Sequence, residues 1–366
     1  MSFVNLGWSP LHAEAFLAYS HQDLIPARVV LQHRHAYEVL SADGPFNAEC
    51  TGRLLHCAAS ASSLPAVGDW VAIRPRLSTG GAAGVQERKA DIHAVLPRQS
   101  CLSRRAAGDR DEEQVLAANV DTLFLVTGLD QNFNVRRIER YLAVARAGHV
   151  EPVILLNKAD LHPQPHRVAE ELRSLVPGLP VLLLTAREGA GVAELATWLR
   201  PGRSVVLLGS SGVGKSTLIN QLLGEARQKT GELSDAVNKG RHTTSHRELI
   251  PLASGAVVID TPGLRELQFW DVDEGAVQDS FADISRLAQH CRFHDCGHQS
   301  EPGCAILAAL EDGTLAEDRW ASYSKLRREQ AYAARRVDPV LARRERDRWK
   351  KIHQGMRQRE RFEREF

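Results

Sequence analysis

Gly209 to Ser216 read GSSGVGKS, which fits the spacing GxxxxGK[ST], directly after the apolar run SVVLL and before the helix-like TLINQLL. Glycines at such a turn let backbone N–H groups close on phosphate oxygens, and the start of a helix adds positive potential. Lys215 is then placed to reach the β- and γ-phosphates, and Ser216 to ligate Mg²⁺. Ser210, Ser211, Gly212, Val213, Gly214 and Thr217 complete the expected phosphate cradle.

A phosphate loop does not choose the base. Asn157-Lys158-Ala159-Asp160 follows the apolar run PVILL and fits the guanine-reading pattern NKxD. A carboxylate at Asp160 accepts from guanine N1–H and the 2-amino group together. Adenine offers neither donor and would leave that carboxylate desolvated and unpaired, a cost of at least about 1 to 3 kcal/mol. Thr185-Ala186, at the end of PVLLL, fits the short loop whose backbone N–H meets guanine O6.

Asp260-Thr261-Pro262-Gly263 follows the run AVVID. Asp260 is suited to organise Mg²⁺ through a water, and the Gly263 N–H to sense the γ-phosphate. Between the two loops lies a polar stretch, about 224–246, that ends in Gly240-Arg241-His242-Thr243-Thr244. Thr244, with Thr243 as the alternative, is the expected second Mg²⁺ ligand. Leu264 stands where a water-orienting Gln is common, so slow intrinsic hydrolysis is expected. His242 is the nearest group for positioning water; a solvated loop histidine is the other reading. The order along the chain is NKAD, TA, GSSGVGKS, GRHTT, DTPG, a circular permutation of the usual guanine-nucleotide domain.

A third constellation is Cys291, Cys296, His298 and Cys304, within CRFHDCGHQSEPGC. Three thiolates and an imidazole form a closed set suited to one structural, tetrahedral Zn²⁺ per chain. His294 lies between two of these ligands and is left out.

These groups require a scaffold, and a chain of 366 residues with 43% apolar and 25% charged residues is long enough for two or three folded domains. Disordered, collagen-like and disulfide-stapled classes are excluded. The run of β-favouring segments over 25–97 predicts a small all-β barrel, preceded by a weakly helical extension over 1–24 and followed by a polar linker over 98–113. Apolar strands alternating with helices over 114–281 predict an α/β domain with a parallel sheet covered on both faces. A third domain, 282–366, carries the Cys/His cluster and a basic helical tail.

The net charge of +1 hides an asymmetry: Trp320 to Phe366 holds 15 Lys and Arg against 7 Asp and Glu. That surplus suggests contact with RNA phosphates, a solvated charged helix being the alternative. In the β module, Trp70 with Arg74 and Arg76 suggests an oligonucleotide face, or simply a packed tryptophan. No apolar run approaches the roughly 18 residues of a membrane span, and the start lacks a signal-peptide pattern. A cytoplasmic protein with no membrane partner is expected.

Across nearly the whole chain the segments LGWSP, LIPARV, VGDWV, LPRQS, ANVDTLFLVTGLDQNFNVRRIERYL, LLNKADL, GSSGVGKSTLIN, GRHTT, DTPGLREL and the C-x4-C-x-H-x5-C cluster resemble the ribosome small-subunit-dependent GTPase A family, the RsgA/YjeQ proteins. The resemblance implies an N-terminal OB-fold barrel, a permuted P-loop GTPase domain and a C-terminal zinc-binding domain. It also implies a cytoplasmic factor of late 30S subunit assembly that binds 16S rRNA and hydrolyses GTP faster on that subunit; a monomer is expected. Thr185-Ala186 stands where the family more often has Ser-Ala. Two other readings stay open: a GTP-dependent RNA scaffold with little hydrolysis, and a permuted GTPase of large-subunit assembly.

Overall fold

The computed structural model describes residues 3–33, 36–76, 88–105, 113–131, 133–210, 212–224, 247–260 and 281–337. These fall into two compact units, 281–337 forming the second. In the first, a short helix α1 (Pro10–Phe16) lies between two 3-10 turns, Phe3–Leu6 and Leu17–Tyr19. Pro10 starts it, and Ser9 caps it by accepting from the His12 N–H while the His12 ring accepts from the Ser9 N–H.

Strands β1 (Ile25–Gln32), β2 (Tyr37–Ser41) and β3 (Gly44–Cys50), a helical turn α2 (Gly52–Cys57) capped by Thr51, and strands β4 (Trp70–Pro75) and β5 (Lys89–Val95) follow. The strands pair in the order β1-β2-β3-β5-β4, and β4 returns to β1, which closes a five-stranded barrel. Its interior is filled by alternating residues, among them Val29, Val39, Phe46, Ile73 and Ile92.

The expectation of a linker over 98–113 is corrected here. Cys101–Arg105 forms β6 and pairs antiparallel with β7 (Glu113–Ala118) as a separate two-stranded sheet. Its polar residues sit on a ribbon whose apolar members Leu102, Val115 and Leu116 are buried, which composition alone read as a loop.

The α/β part runs β8 (Thr122–Gly128), α3 (Val135–Ala147), β9 (Glu151–Asn157), α4 (Pro165–Leu175), β10 (Val181–Leu183), β11 (Ser204–Leu208), α5 (Lys215–Leu223), β12 (Glu248–Pro251) and β13 (Val257–Asp260). Its sheet has the order β10-β9-β8-β11-β13-β12, parallel except for β12. Fully buried runs such as Val153 to Leu156 and Val205 to Leu208 explain the continuous apolar segments: helices or barrel cover both faces. β12 also pairs with β1 at Leu31 and Glu248, so sheet and barrel are hydrogen-bonded into one surface.

Arg28 of β1 locks this junction from inside. Its buried guanidinium donates to the carbonyls of Leu6, Gly68 and Asn119 and to Ser204 Oγ on β11, and burial lowers its pKa to about 10. Trp70 packs beside it, 0% exposed, with its ring centroid 4.6 Å from Trp8 and 5.6 Å from Phe3. The oligonucleotide face suggested for Trp70 is therefore corrected: its ring is core. Its basic neighbours are engaged as well, Arg74 on the Gln22 carbonyl and Arg76 on Asp91 and Glu49.

The second unit contains α6 (Ala282–Ala288), α7 (Ala305–Glu311) and α8 (Glu317–Val337). Arg319 stacks 5.0 Å from the buried Phe281 ring and forks onto Asp283 at 2.5 and 2.7 Å, fastening α8 to α6. No helix of the described residues is long and apolar enough to cross a membrane.

Candidate functional site

The two guanine-type loops and the phosphate loop emerge side by side at the carboxyl ends of β9, β10 and β11, where open α/β sheets place ligands. Gly209 follows β11 with the carbonyl of Val126 against it, leaving no room for a side chain. Gly212 and Gly214 take φ values of 77° and 99°, the left-handed region that glycine tolerates. Gly214 caps α5, whose first residues Lys215, Ser216 and Thr217 face the loop mouth, with Ser216 and Thr217 exposed. Val213 is buried beneath. Lys215 Nζ donates to the carbonyls of Gly209 at 2.5 Å and Ser210 at 2.7 Å, holding its charge over the cradle.

Asn157 joins the three loops. Its side-chain NH₂ donates to the Val213 carbonyl at 2.7 Å and its Oδ1 accepts from the Ala186 N–H at 2.9 Å. Asn157 itself is buried, so this one carboxamide fixes NKAD, Thr185-Ala186 and GSSGVGKS relative to each other. Lys158 adopts φ 59° and pairs with Asp130 at 2.7 Å, while Ala159 donates to the Leu184 carbonyl. Asp160 is left exposed on a 3-10 turn, open to a ligand edge. Thr185 is buried and bridges to Ala190.

Asp260 ends β13, partly buried, on the strand beside β11. Ser211, His242, Thr243, Thr244, Gly263 and Leu264 lie outside the described residues, as does the tail beyond 337.

In the second unit Cys291, Cys296, His298 and Cys304 bring one ligand atom each to within 4.8 Å of the others. His298 Nδ1 stands 3.4 Å from the Cys304 sulfur and 3.6 Å from that of Cys291, and the Cys291 and Cys304 sulfurs are 3.9 Å apart. Ligands about 2.0 to 2.3 Å from a tetrahedral centre lie close to these separations, so the set fits a metal ion. Burial pushes the Cys291 thiol up, but amide N–H groups of Ala305 and Ile306 at the start of α7 outweigh it and hold the thiol below its usual range. His294 is exposed and outside the group.

Sequence reasoning passed over Asp130, which steadies Lys158, and Glu301, whose carboxylate accepts the N–H groups of Gly297, Gln299 and Ser300. Those amides hold the Glu301 carboxyl down at about 2. The position of Glu301 inside the Cys/His loop was the only available signal.

The family model described as RsgA GTPase matches residues 95–270. One described as ABC transporter matches residues 192–361, a span that contains the same phosphate loop. A small ribosomal subunit biogenesis GTPase RsgA of Opitutus terrae is 62% identical over 364 residues, 99% of each chain. One from Syntrophotalea carbinolica is 45% identical over 91% of each chain. Among solved structures, YjeQ from Thermotoga maritima superimposes with a TM-score of 0.58 at 26% identity, covering 84% of this chain and 98% of that one. YloQ, titled a circularly permuted GTPase, gives 0.55 at 26%, covering 85% and 96%. With the permuted order of its loops built into the sheet and such identity from end to end, this chain belongs to the RsgA GTPase family.

Proposed function

We propose that this chain hydrolyses GTP as a factor of small ribosomal subunit biogenesis, acting late in 30S assembly. The observation that carries the nucleotide half is the Asn157 carboxamide, which ties the NKAD loop to the phosphate loop by one hydrogen bond and to the Thr185-Ala186 loop by another. The ribosomal half rests on the relatives, which are named small ribosomal subunit biogenesis GTPases.

Within that reading, Asp160 accepts from the guanine edge, Asn157, Lys158, Thr185 and Ala186 shape its pocket, and residues 209–217 hold the phosphates. Ser216 and Thr244 would hold Mg²⁺ brought in with GTP, with Asp260 acting through a water, and the ion would supply positive charge to the bound phosphates. Gly263 senses the γ-phosphate, and His242 positions the attacking water in place of the absent Gln. Cys291, Cys296, His298 and Cys304 hold a structural Zn²⁺, whose closed ligand set leaves no open catalytic position. The barrel is an OB-fold; the domains run 25–97, 114–281 and 282–366. Barrel and basic tail contact 16S rRNA, and the protein works as a cytoplasmic monomer.

Multiple-turnover phosphate release, with and without purified 30S subunits, tests the function. Release stimulated by 30S subunits is expected, and co-sedimentation should favour a non-hydrolysable GTP analogue over GDP. Absence of GTP turnover with subunits present overturns the enzymatic reading, and stimulation by 50S subunits alone overturns the ribosomal one.

A further inference from the structure

The second residue of the phosphate loop is held by a helix that carries none of the nucleotide motifs. Asn134 caps α3, accepting from the Arg137 N–H at 3.1 Å, and so fixes the backbone of Arg137 in the first turn. From there the Arg137 guanidinium donates to Ser210 Oγ. Tyr141, one turn further along the same helix face, hydrogen-bonds to that hydroxyl too; burial raises its phenol, against the pull of Arg137 and Ser210. The carbonyl of Ser210 meanwhile accepts from Lys215 Nζ at 2.7 Å. Ser210 is thus gripped from both sides, by α3 through its side chain and by the loop lysine through its backbone.

Two further facts separate this from ordinary bracing. Among the described residues Arg137 forms no ion pair, so no described carboxylate offsets its charge beside Ser210. Arg137 itself is half-buried, beside the buried Ile138 and one turn before the buried Tyr141 on the same helix. The segment from β8 into α3 also carries Asp130, the partner of Lys158, which makes one stretch of chain hold both the guanine-side and the phosphate-side loops.

We propose that Arg137 is a positioning residue for the γ-phosphate: by fixing Ser210 it sets the loop for a triphosphate in preference to a diphosphate. This rests on the reading of the site as one for GTP. Diphosphate binding engages the same cradle with about one charge less, so the effect of Arg137 should fall mainly on the γ-phosphate.

The test compares affinities for GDP and for a non-hydrolysable GTP analogue, together with 30S-stimulated kcat. For Arg137→Gln, GDP affinity should stay within about twofold, analogue affinity should fall about tenfold, and kcat should fall by about 10²-fold, as for a misplaced phosphate cradle. Arg137→Lys should recover part of the analogue affinity. Ser210→Ala should reproduce the kcat loss, and the double variant should be no worse than Arg137→Gln alone, because both changes break one contact. Equal losses for GDP and analogue, or an unchanged kcat in Arg137→Gln and Ser210→Ala, overturn the proposal and leave a plain brace. Should Arg137→Gln not fold, Arg137→Lys and Ser210→Ala decide by the same ratio. Failure of the parent protein to bind either nucleotide would instead strike at the GTP reading itself.

Discussion

Asn157 donates its side-chain amide to the carbonyl of Val213 at 2.7 Å and occupies the space a Cβ on Gly214 would need. The guanine-side loop therefore depends on the absence of a side chain in the phosphate loop. Gly214 also sits at φ 99°, where an L-residue costs about 1 to 2 kcal/mol in backbone strain alone. Gly214→Ala should push Asn157 off both Val213 and Ala186 and lower guanine-nucleotide affinity at least about tenfold, a change of 1.4 kcal/mol or more. Titration with a fluorescent GDP checks this, and parent-like affinity would show that the two loops are not coupled through this contact.

Asp160 stands exposed on its turn while its neighbours are tied down, which suits a group reserved for ligand. Asp160→Asn should weaken GTP and improve xanthosine triphosphate, whose 2-oxo group accepts from the new amide. Competition binding with the two nucleotides measures the exchange of preference. Unchanged GTP affinity would remove Asp160 from the base site.

Much of this site was legible because the residues involved are separated by fixed, short spacings. NKAD, GSSGVGKS and the Cys/His set each declare themselves within fourteen residues, and strand-to-helix transitions around them are visible as apolar runs. Arg137 and Asp130 were not, because their partners lie 73 and 28 residues away and nothing in a linear pattern marks a guanidinium bound for a serine hydroxyl. Trp70 shows where two readings stayed open. Beside two arginines it suggested an oligonucleotide face or a packed tryptophan, and the second reading holds: Phe3 and Trp8, some sixty residues earlier, cover it, and an aromatic that size is most often buried when another element supplies the cover. Polar composition over 98–113 likewise hid β6, whose alternation is too short to stand out without its partner β7.

The Cys/His cluster should hold about one zinc per chain, and Cys296→Ser should lose it while leaving guanine-nucleotide affinity near that of the parent. Glu301 gives a finer test. Its carboxylate gathers three amides of the loop bearing His298, which adopts φ 56°. Glu301→Gln keeps the shape but loses the charge-assisted bonds, and zinc affinity should fall about 10- to 100-fold. Metal content by emission spectrometry and a chelator competition measure both; full zinc in Cys296→Ser would exclude the assignment.

His242→Ala should leave GTP affinity near normal but reduce the 30S-stimulated rate by about 10²-fold, the loss expected of a group that positions or activates water. Leu264 cannot take over that role, having no polar atom. Single-turnover rates on 30S subunits measure it. An unimpaired rate would make His242 a solvated loop residue.

His12 links pH to the seam between the N-terminal segment and the rest of its unit. Its ring is 3% exposed, accepts from the Ser9 N–H through Nδ1 and stacks on Trp8 at 5.7 Å. Burial, and then the nearby Arg28 charge, hold its pKa below the ordinary 6.5 against the pull of Asn119 and Asp121. In the unfolded chain the imidazole takes a proton near 6.5; in the fold it takes one only at lower pH, so the unfolded state binds more protons across that interval. Stability should therefore fall as pH drops below about 6.5, and level off only once the folded ring also charges. Protonating Nδ1 would set a new N–H against the Ser9 N–H and add a second charge near Arg28, so the segment carrying Phe3 and Trp8 should loosen first. Denaturation followed by tryptophan fluorescence at pH 7.5 and 5.5 reads this through Trp8 and Trp70. His12→Gln should be less stable at pH 7.5 and lose part of the pH dependence, and a parent and variant with parallel slopes would show that other groups set it.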